Sequence, residues 1–272
     1  MVESIQTTIN TISDIENFIN PEEKTLVVFD MDGTIVMGPF GMGGDAWFQQ
    51  LEINFKQNKV LQYRLVEQLG LYKQIHELAS REEDHVNFVE EKLKRYMTDK
   101  LNYLVYKIQN DFQPVEDKTI NFINSIQQKT NSNAIVLTSR SVDVLDTTTR
   151  YLSNIKLKFS IDGISESFFV EEKGFKFGYK EGVICCEGRN KGEVLKHFLK
   201  LLPKGSVNHL IFVDDTYSKV KDVEDAFVES EISATSLFYR PNLADRYDYS
   251  KSCEYVKGLK DINFEEDFFW LV

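Results

Sequence analysis

The sequence has few of the residues that staple a small fold or hold a soft metal. Only three cysteines stand among its 272 residues. Cys185 and Cys186 are adjacent and Cys253 is remote, so there is neither a disulfide framework nor a CxxC pair. Adjacent cysteines bridge only with strain, which leaves buried, reduced thiols in a reducing compartment as the reading. The four histidines, His76, His85, His197 and His209, show no ligand spacing, and no zinc site is read from them. No apolar run approaches the roughly 18 residues of a membrane span. The opening segment MVESIQTTINTISDIENFI lacks the basic start and apolar run of a cleavable signal peptide. A cytoplasmic location is therefore expected, with export by another route left open. Positive charge is also scarce: 32 Lys and Arg against 43 Asp and Glu give a net charge of −11. Such a surface repels phosphate backbones and anionic lipid, so neither nucleic acid nor membrane is expected as a partner. Internal repeats and low-complexity tracts are absent, and oligomeric state leaves no readable mark.

What is present points to an α/β fold. The length suits one large domain, or a core with an insertion, able to bury a sizeable hydrophobic interior. KTLVVFD (24–30) is a continuous apolar run of strand length, as expected for a parallel strand covered on both faces. NAIVLTS (133–139), HLIFVDD (209–215) and ATSLFYR (234–240) resemble it. Helical patterns over 115–129, 141–153, 190–202 and 217–228 alternate with these strands, which predicts a Rossmann-like, doubly wound parallel sheet. Isoleucines 5, 9, 12, 15 and 19 predict an amphipathic helix over 4–19. Residues 41–110 contain no strand-like run and read as an inserted helical cap, leaving 1–40 and 111–272 as the core. The glycine-punctuated alternation over 159–188 reads as a small β-hairpin flap.

The polar ends of the core strands carry the chemistry, because ligands of open α/β sheets bind beyond the strands' carboxyl ends. The first strand ends in Asp30-Met31-Asp32-Gly33-Thr34. The strand at 134–138 ends in Thr138, followed by Ser139 and Arg140, and the strand at 210–213 ends in Asp214 and Asp215. Lys191 stands near the start of a helix between the last two. Four carboxylates in one crevice repel one another unless a cation joins them. An all-oxygen ligand set selects Mg²⁺. With Lys191, that ion would neutralise a phosphoryl group, so that an acidic protein could still bind an anion. Thr138 and the backbone N–H groups after Asp30 would add donors.

These segments resemble the haloacid dehalogenase-like (HAD) superfamily. Asp30-Met-Asp32-Gly-Thr34 behind an apolar strand matches its first motif, Thr138 closing IVLT the second, Lys191 the third, and Asp214-Asp215 closing IFVDD the fourth. GVICCEGRNKGEVL and LIFVDD also resemble a bacterial HAD-like family of unknown substrate. The resemblance implies a Mg²⁺-dependent phosphatase acting on a small phosphorylated substrate. Asp30 would be the nucleophile, forming an aspartyl-phosphate, and Asp32 the general acid and base. Thr138, Lys191, Gly33 and Ser139 would bind phosphate. Mg²⁺ would be held by Asp30, the backbone carbonyl of Asp32 and Asp215, with Asp214 beside it or competing. One position departs from the pattern: Lys219 stands where the family often has a second acid, with Asp222 about one helical turn on.

Other readings of the same residues remain. Thr138 and Ser139 could cap the next helix, and Arg140 could bind phosphate or form a surface ion pair. The loop GPFGMGGDAW (38–47) lacks a nucleotide-binding glycine pattern and reads as a hinge between core and cap. Met42, Trp47 and Phe48 could line a pocket or pack in the core. A phosphotransferase or mutase would use the same site, and a binding protein on a catalytically degenerate scaffold would keep the fold.

Overall fold

In this structure, a computed structural model, the described residues are 7–58, 107–172, 175–242, 246–260 and 262, with isolated positions between 59 and 106. Four short apolar runs form the middle of the molecule: β2 (Thr25–Phe29), β5 (Ser132–Thr138), β9 (His209–Asp214) and β10 (Ser233–Tyr239). They pair in parallel, β2 lying between β5 and β9, with β10 outside β9. Parallel pairing requires crossovers, and helices supply them: α2 (Thr119–Gln127), α3 (Leu145–Asn154), α4 (Lys191–Leu199) and α5 (Tyr217–Phe227).

Side-chain alternation along each strand explains why the runs are apolar throughout. Val27, Phe29, Val136 and Val213 face one layer, where Ile123, Ile126 and Leu152 lie buried. Leu26, Val28, Leu137 and Phe212 face the other, against Val194, Phe198 and Val223. Both faces are thus removed from water, each such side chain contributing about 1.5–3 kcal/mol.

With β1 (Thr7–Ile9), β6 (Phe168–Glu172), β7 (Phe175–Lys180) and β8 (Val183–Cys185), the sheet has eight strands among the described residues, in the order β1-β10-β9-β2-β5-β8-β7-β6. Residues read as a separate flap belong to it. β6 and β7 pair antiparallel. β8 joins β7 on one side and β5, in parallel, on the other. The inward side chains Phe177 and Tyr179 are buried in the core, so the alternation reports a half-covered sheet edge.

The helix expected over 4–19 is corrected. Thr7–Ile9 form an edge strand, β1, paired in parallel with β10, and Ile12–Phe18 form a 3₁₀ helix. β-Branched Thr-Thr-Ile suits the strand. Ile12 and Ile15, three apart, fall on one side of a three-residue turn, and both are buried. The Asp14 carboxylate starts that turn by accepting from the Thr11 N–H at 3.0 Å.

After the site turn, β3 (Val36–Met37) pairs antiparallel with β4 (Gln113–Pro114). The chain therefore departs from this short ladder and returns to it, with the segment 38–112 between its two strands. α1 (Asp45–Gln57) opens that segment. Most of the helical segment expected over 41–110, with His76 and His85, lies outside the described residues. Met42 and Trp47 are core residues, and the Trp47 Nε1–H donates to Ser252 Oγ at 2.9 Å. The Phe48 side chain lies outside the described residues. Ser252 belongs to a further helix, α6 (Tyr249–Lys257), which no expected element matches. Among the described residues, no helix is long and apolar enough to cross a membrane.

Candidate functional site

From β2 the chain moves to β5 and out to the edge strand β6, returns through β7 and β8, then crosses to β9 and β10 on the other side of β2. The carboxyl ends of β2 and β9 therefore flank a topological switch point, where a crevice opens in folds of this kind. Asp30 immediately follows β2, Asp214 ends β9, Thr138 ends β5 and Lys191 begins α4. Segments far apart in sequence thus deliver their polar residues to one end of the sheet.

Lys191 joins two of the acids. Its Nζ lies 2.5 Å from Asp30 Oδ1 and 2.6 Å from Asp214 Oδ2, and only 1% of its surface is exposed. The other oxygen of Asp214 accepts the Thr216 N–H at 2.8 Å. Burial pushes the Asp30 carboxyl from 3.8 up to about 7; Lys191 opposes the rise, and Asp214 and Asp32 add to it. Burial works against the charge on Lys191, yet Asp214 and Asp30 outweigh it and raise its pKa. Asn190 starts α4, its side chain accepting the Glu193 N–H at 3.0 Å. Gly192 then lets α4 approach α5, since a Cβ there would stand 2.3 Å from the Asp222 carbonyl oxygen. That close approach sets Lys191 deep enough to reach both acids.

Asp30, Asp214 and Asp215 each offer a carboxylate oxygen within 4.8 Å of the others. An all-oxygen set of this size fits a hard divalent cation such as Mg²⁺. Gly33 packs against Asp215: it has φ of 91°, and a Cβ on it would lie 2.1 Å from Asp215 Oδ2. Only glycine permits both that conformation and that contact.

Asp32 has a different partner. Arg140 Nε donates to its Oδ2 at 2.8 Å and Nη2 to its Oδ1 at 2.6 Å. Arg140 Nη1 donates to Thr148 Oγ1 on α3 at 3.2 Å, and its guanidinium lies 5.7 Å from the Phe112 ring centre. Arg140 is 5% exposed, so this is a buried pair and not a surface one. Asp32, with 17% of its side chain exposed, and the half-buried Asp215 are the parts of the site nearest solvent.

The other expected residues divide. Thr138 is buried at the strand tip, its Oγ1 accepting the Arg140 N–H at 3.3 Å. Ser139 is exposed. The Gly33 N–H donates to the Val36 carbonyl at 2.8 Å, so it closes its own turn. Capping of the next helical turn falls to Ser141, whose hydroxyl accepts the Asp143 N–H at 3.2 Å. Lys219 lies 3.9 Å from Asp222 on α5. Gly43 and Gly44 bring the loop after β3 over the site, a Cβ on them lying 3.6 Å from Asp32 Cβ and 3.7 Å from Asp215 Oδ2. Cys185 and Cys186 are buried free thiols, pushed by burial to about 12 and about 11, which makes them unreactive. Two clefts of about 430 and 370 Å³ lie along α3, and none of the expected site residues lines them.

A family model for proteins of unknown function, DUF2608, matches residues 8–102 and 90–257 of this chain. The chain belongs to the DUF2608 family. The match spans β1 through α6 and so includes every site residue described above. No curated protein matches the chain. Among solved structures, one from Burkholderia xenovorans LB400, described as a haloacid dehalogenase-like hydrolase, covers 92% of this chain and 99% of its own. The identity is 11% and the TM-score 0.34, a likeness too slight to add to the residues themselves. For this DUF2608 protein, Arg140 and Thr148 are the site residues that pattern reading missed or left undecided. The available signal was position: an arginine two residues beyond a buried strand tip has little room to reach solvent.

Proposed function

We propose that this DUF2608 protein is a phosphatase of the HAD type, hydrolysing a phosphate monoester through an aspartyl-phosphate on Asp30. The observation that carries the reading is Lys191, buried and bridging Asp30 to Asp214 beside Asp215 at the sheet's switch point. A buried lysine gathering acids from two strands is costly as mere structure. It is apt where an anionic group must approach a carboxylate nucleophile.

The Asp30 oxygen not held by Lys191 attacks phosphorus in line, and the bond from phosphorus to the leaving oxygen breaks. The Asp32 carboxyl gives that oxygen its proton. Water then attacks the phosphorus of the aspartyl-phosphate and passes a proton to the Asp32 carboxylate. The bond from phosphorus to Asp30 breaks, and both acids return to their starting forms. Lys191 and the Thr138 hydroxyl hold phosphoryl oxygens, while Asp214 anchors Lys191. Asp30, Asp215 and the Asp32 carbonyl would hold Mg²⁺, which would neutralise charge on the phosphoryl group. The loop 38–47, whose Gly43 and Gly44 lie beside Asp32 and Asp215, would serve as the hinge of a cap.

Phosphate release from 4-nitrophenyl phosphate, with and without Mg²⁺, tests the reading beside Asp30→Asn. Metal-dependent release that disappears in the variant is expected. A folded wild type that releases no phosphate and binds neither Mg²⁺ nor beryllofluoride would instead indicate a degenerate scaffold. That second reading draws on Lys219, which stands where the HAD pattern often has an acid. Release only in the presence of an added alcohol acceptor would indicate a transferase.

A further inference from the structure

Resting on the phosphatase reading, we propose that Arg140 is the positioning residue for Asp32, fixing where its proton meets the leaving group. A carboxylate on a turn has freedom about two side-chain bonds, yet proton transfer needs it within hydrogen-bond reach of one oxygen. Arg140 removes that freedom. Its Nε and Nη2 engage both Asp32 oxygens at 2.8 and 2.6 Å, so the carboxylate plane is aligned with the guanidinium plane.

The guanidinium is itself immobilised from three directions. Its backbone N–H is held by Thr138 Oγ1 at the tip of β5, its Nη1 by Thr148 Oγ1 on α3, and its face by the Phe112 ring beside β4. An ion pair serving charge balance alone would not need this framework. A lysine would neutralise Asp32 equally well, but as a point charge it could not hold both oxygens and Thr148 in one plane. The fork uses one lone pair on each Asp32 oxygen and leaves the second pair of each for the reacting group.

The test exploits leaving-group chemistry. A nitrophenolate departs without protonation, whereas an alkoxide needs it, so a misplaced Asp32 should slow transfer to Asp30, read as kcat/KM, only from the second. Turnover of 4-nitrophenyl phosphate and of an aliphatic phosphate monoester is measured in wild type, Arg140→Lys and Thr148→Val. Arg140→Lys is expected to lose about a hundredfold in kcat/KM on the aliphatic ester and under about tenfold on the aryl ester. Thr148→Val should shift the same ratio in the same direction by less, which keeps the idea testable if Arg140→Lys fails to fold. In an Asp32→Asn background, Arg140→Lys should add almost nothing, because its effect passes through Asp32. Equal losses in kcat/KM on both esters, or full additivity with Asp32→Asn, would overturn the positioning role while leaving the phosphatase reading intact. Absence of Asp30-dependent release from either ester would overturn both.

Discussion

Two cation–carboxylate groups flank the tip of β2, and they are built on different principles. On one side Lys191, a compact charge on a flexible stem, sits between Asp30 and Asp214 and is almost wholly removed from water. On the other, Arg140 presents a planar fork to one acid, Asp32, which keeps part of its surface toward solvent. The first arrangement gathers charge: three ionisable groups in one dry place, with the proton affinities of Asp30 and Lys191 both raised. The second fixes direction, since a bidentate pair specifies a plane as well as a distance. One turn, Asp30 to Asp32, therefore carries an acid whose energy is controlled and another whose orientation is controlled.

Breaking the first group should have the larger effects. Asp30→Asn removes the nucleophile and is expected to lower phosphate release by at least about a thousandfold, read as single-turnover release at saturating substrate. Lys191→Met leaves Asp30 and Asp214 facing each other without a cation. It should destabilise the protein by roughly 3–5 kcal/mol in urea unfolding, and adding Asp214→Asn should recover part of that loss.

The two acids at the end of β9 sharpen the comparison next. Asp215→Asn should weaken Mg²⁺ binding by calorimetry at least about tenfold. Asp214→Asn should change it less, because both Asp214 oxygens are already engaged. Gly192→Ala would press a methyl group against the Asp222 carbonyl, lifting α4 and Lys191 with it. A cost of about 1–3 kcal/mol in unfolding is expected.

Acidity gives the most delicate test. Asp30 is pushed up to about 7 in the folded, metal-free protein, from 3.8. The folded state then holds this proton more tightly than the unfolded chain does. Its stabilising contribution is complete below about pH 3.8 and is lost as pH rises through about 7. In urea without divalent ions, wild type should lose stability relative to Asp30→Asn between pH 5 and pH 8. A constant gap between the two proteins would count against the raised proton affinity.

The parallel core was legible because burial on both faces forces an unbroken apolar run, which β2, β5 and β9 carry, while β10 is buried only at Leu237 and Tyr239. The acids and Lys191 were legible for a related reason: polar residues directly after such runs have only the end of the sheet to occupy. The amino-terminal helix failed because isoleucines three apart serve a 3₁₀ turn as well as an α-helix, and only pairing with β10 decides for β1. Alternation over 168–185 was visible, but its membership of the central sheet depends on β8 meeting β5, a contact with no local trace. The same holds for Arg140 and Asp32, which are 108 residues apart. Helix α6 buries few apolar side chains, Cys253 and Val256 among them, too few to write a clear period into the sequence.

The short ladder of β3 and β4 gives the molecule a seam. Val36 lies opposite Pro114 and Met37 opposite Gln113, so the two ends of the segment between them stand as close as the ends of a tight turn. Holding them together asks little extra entropy of whatever chain lies between, since that cost grows only slowly with its length. The length of that chain can therefore change, and with it what reaches the site, without disturbing the sheet that aims Asp30.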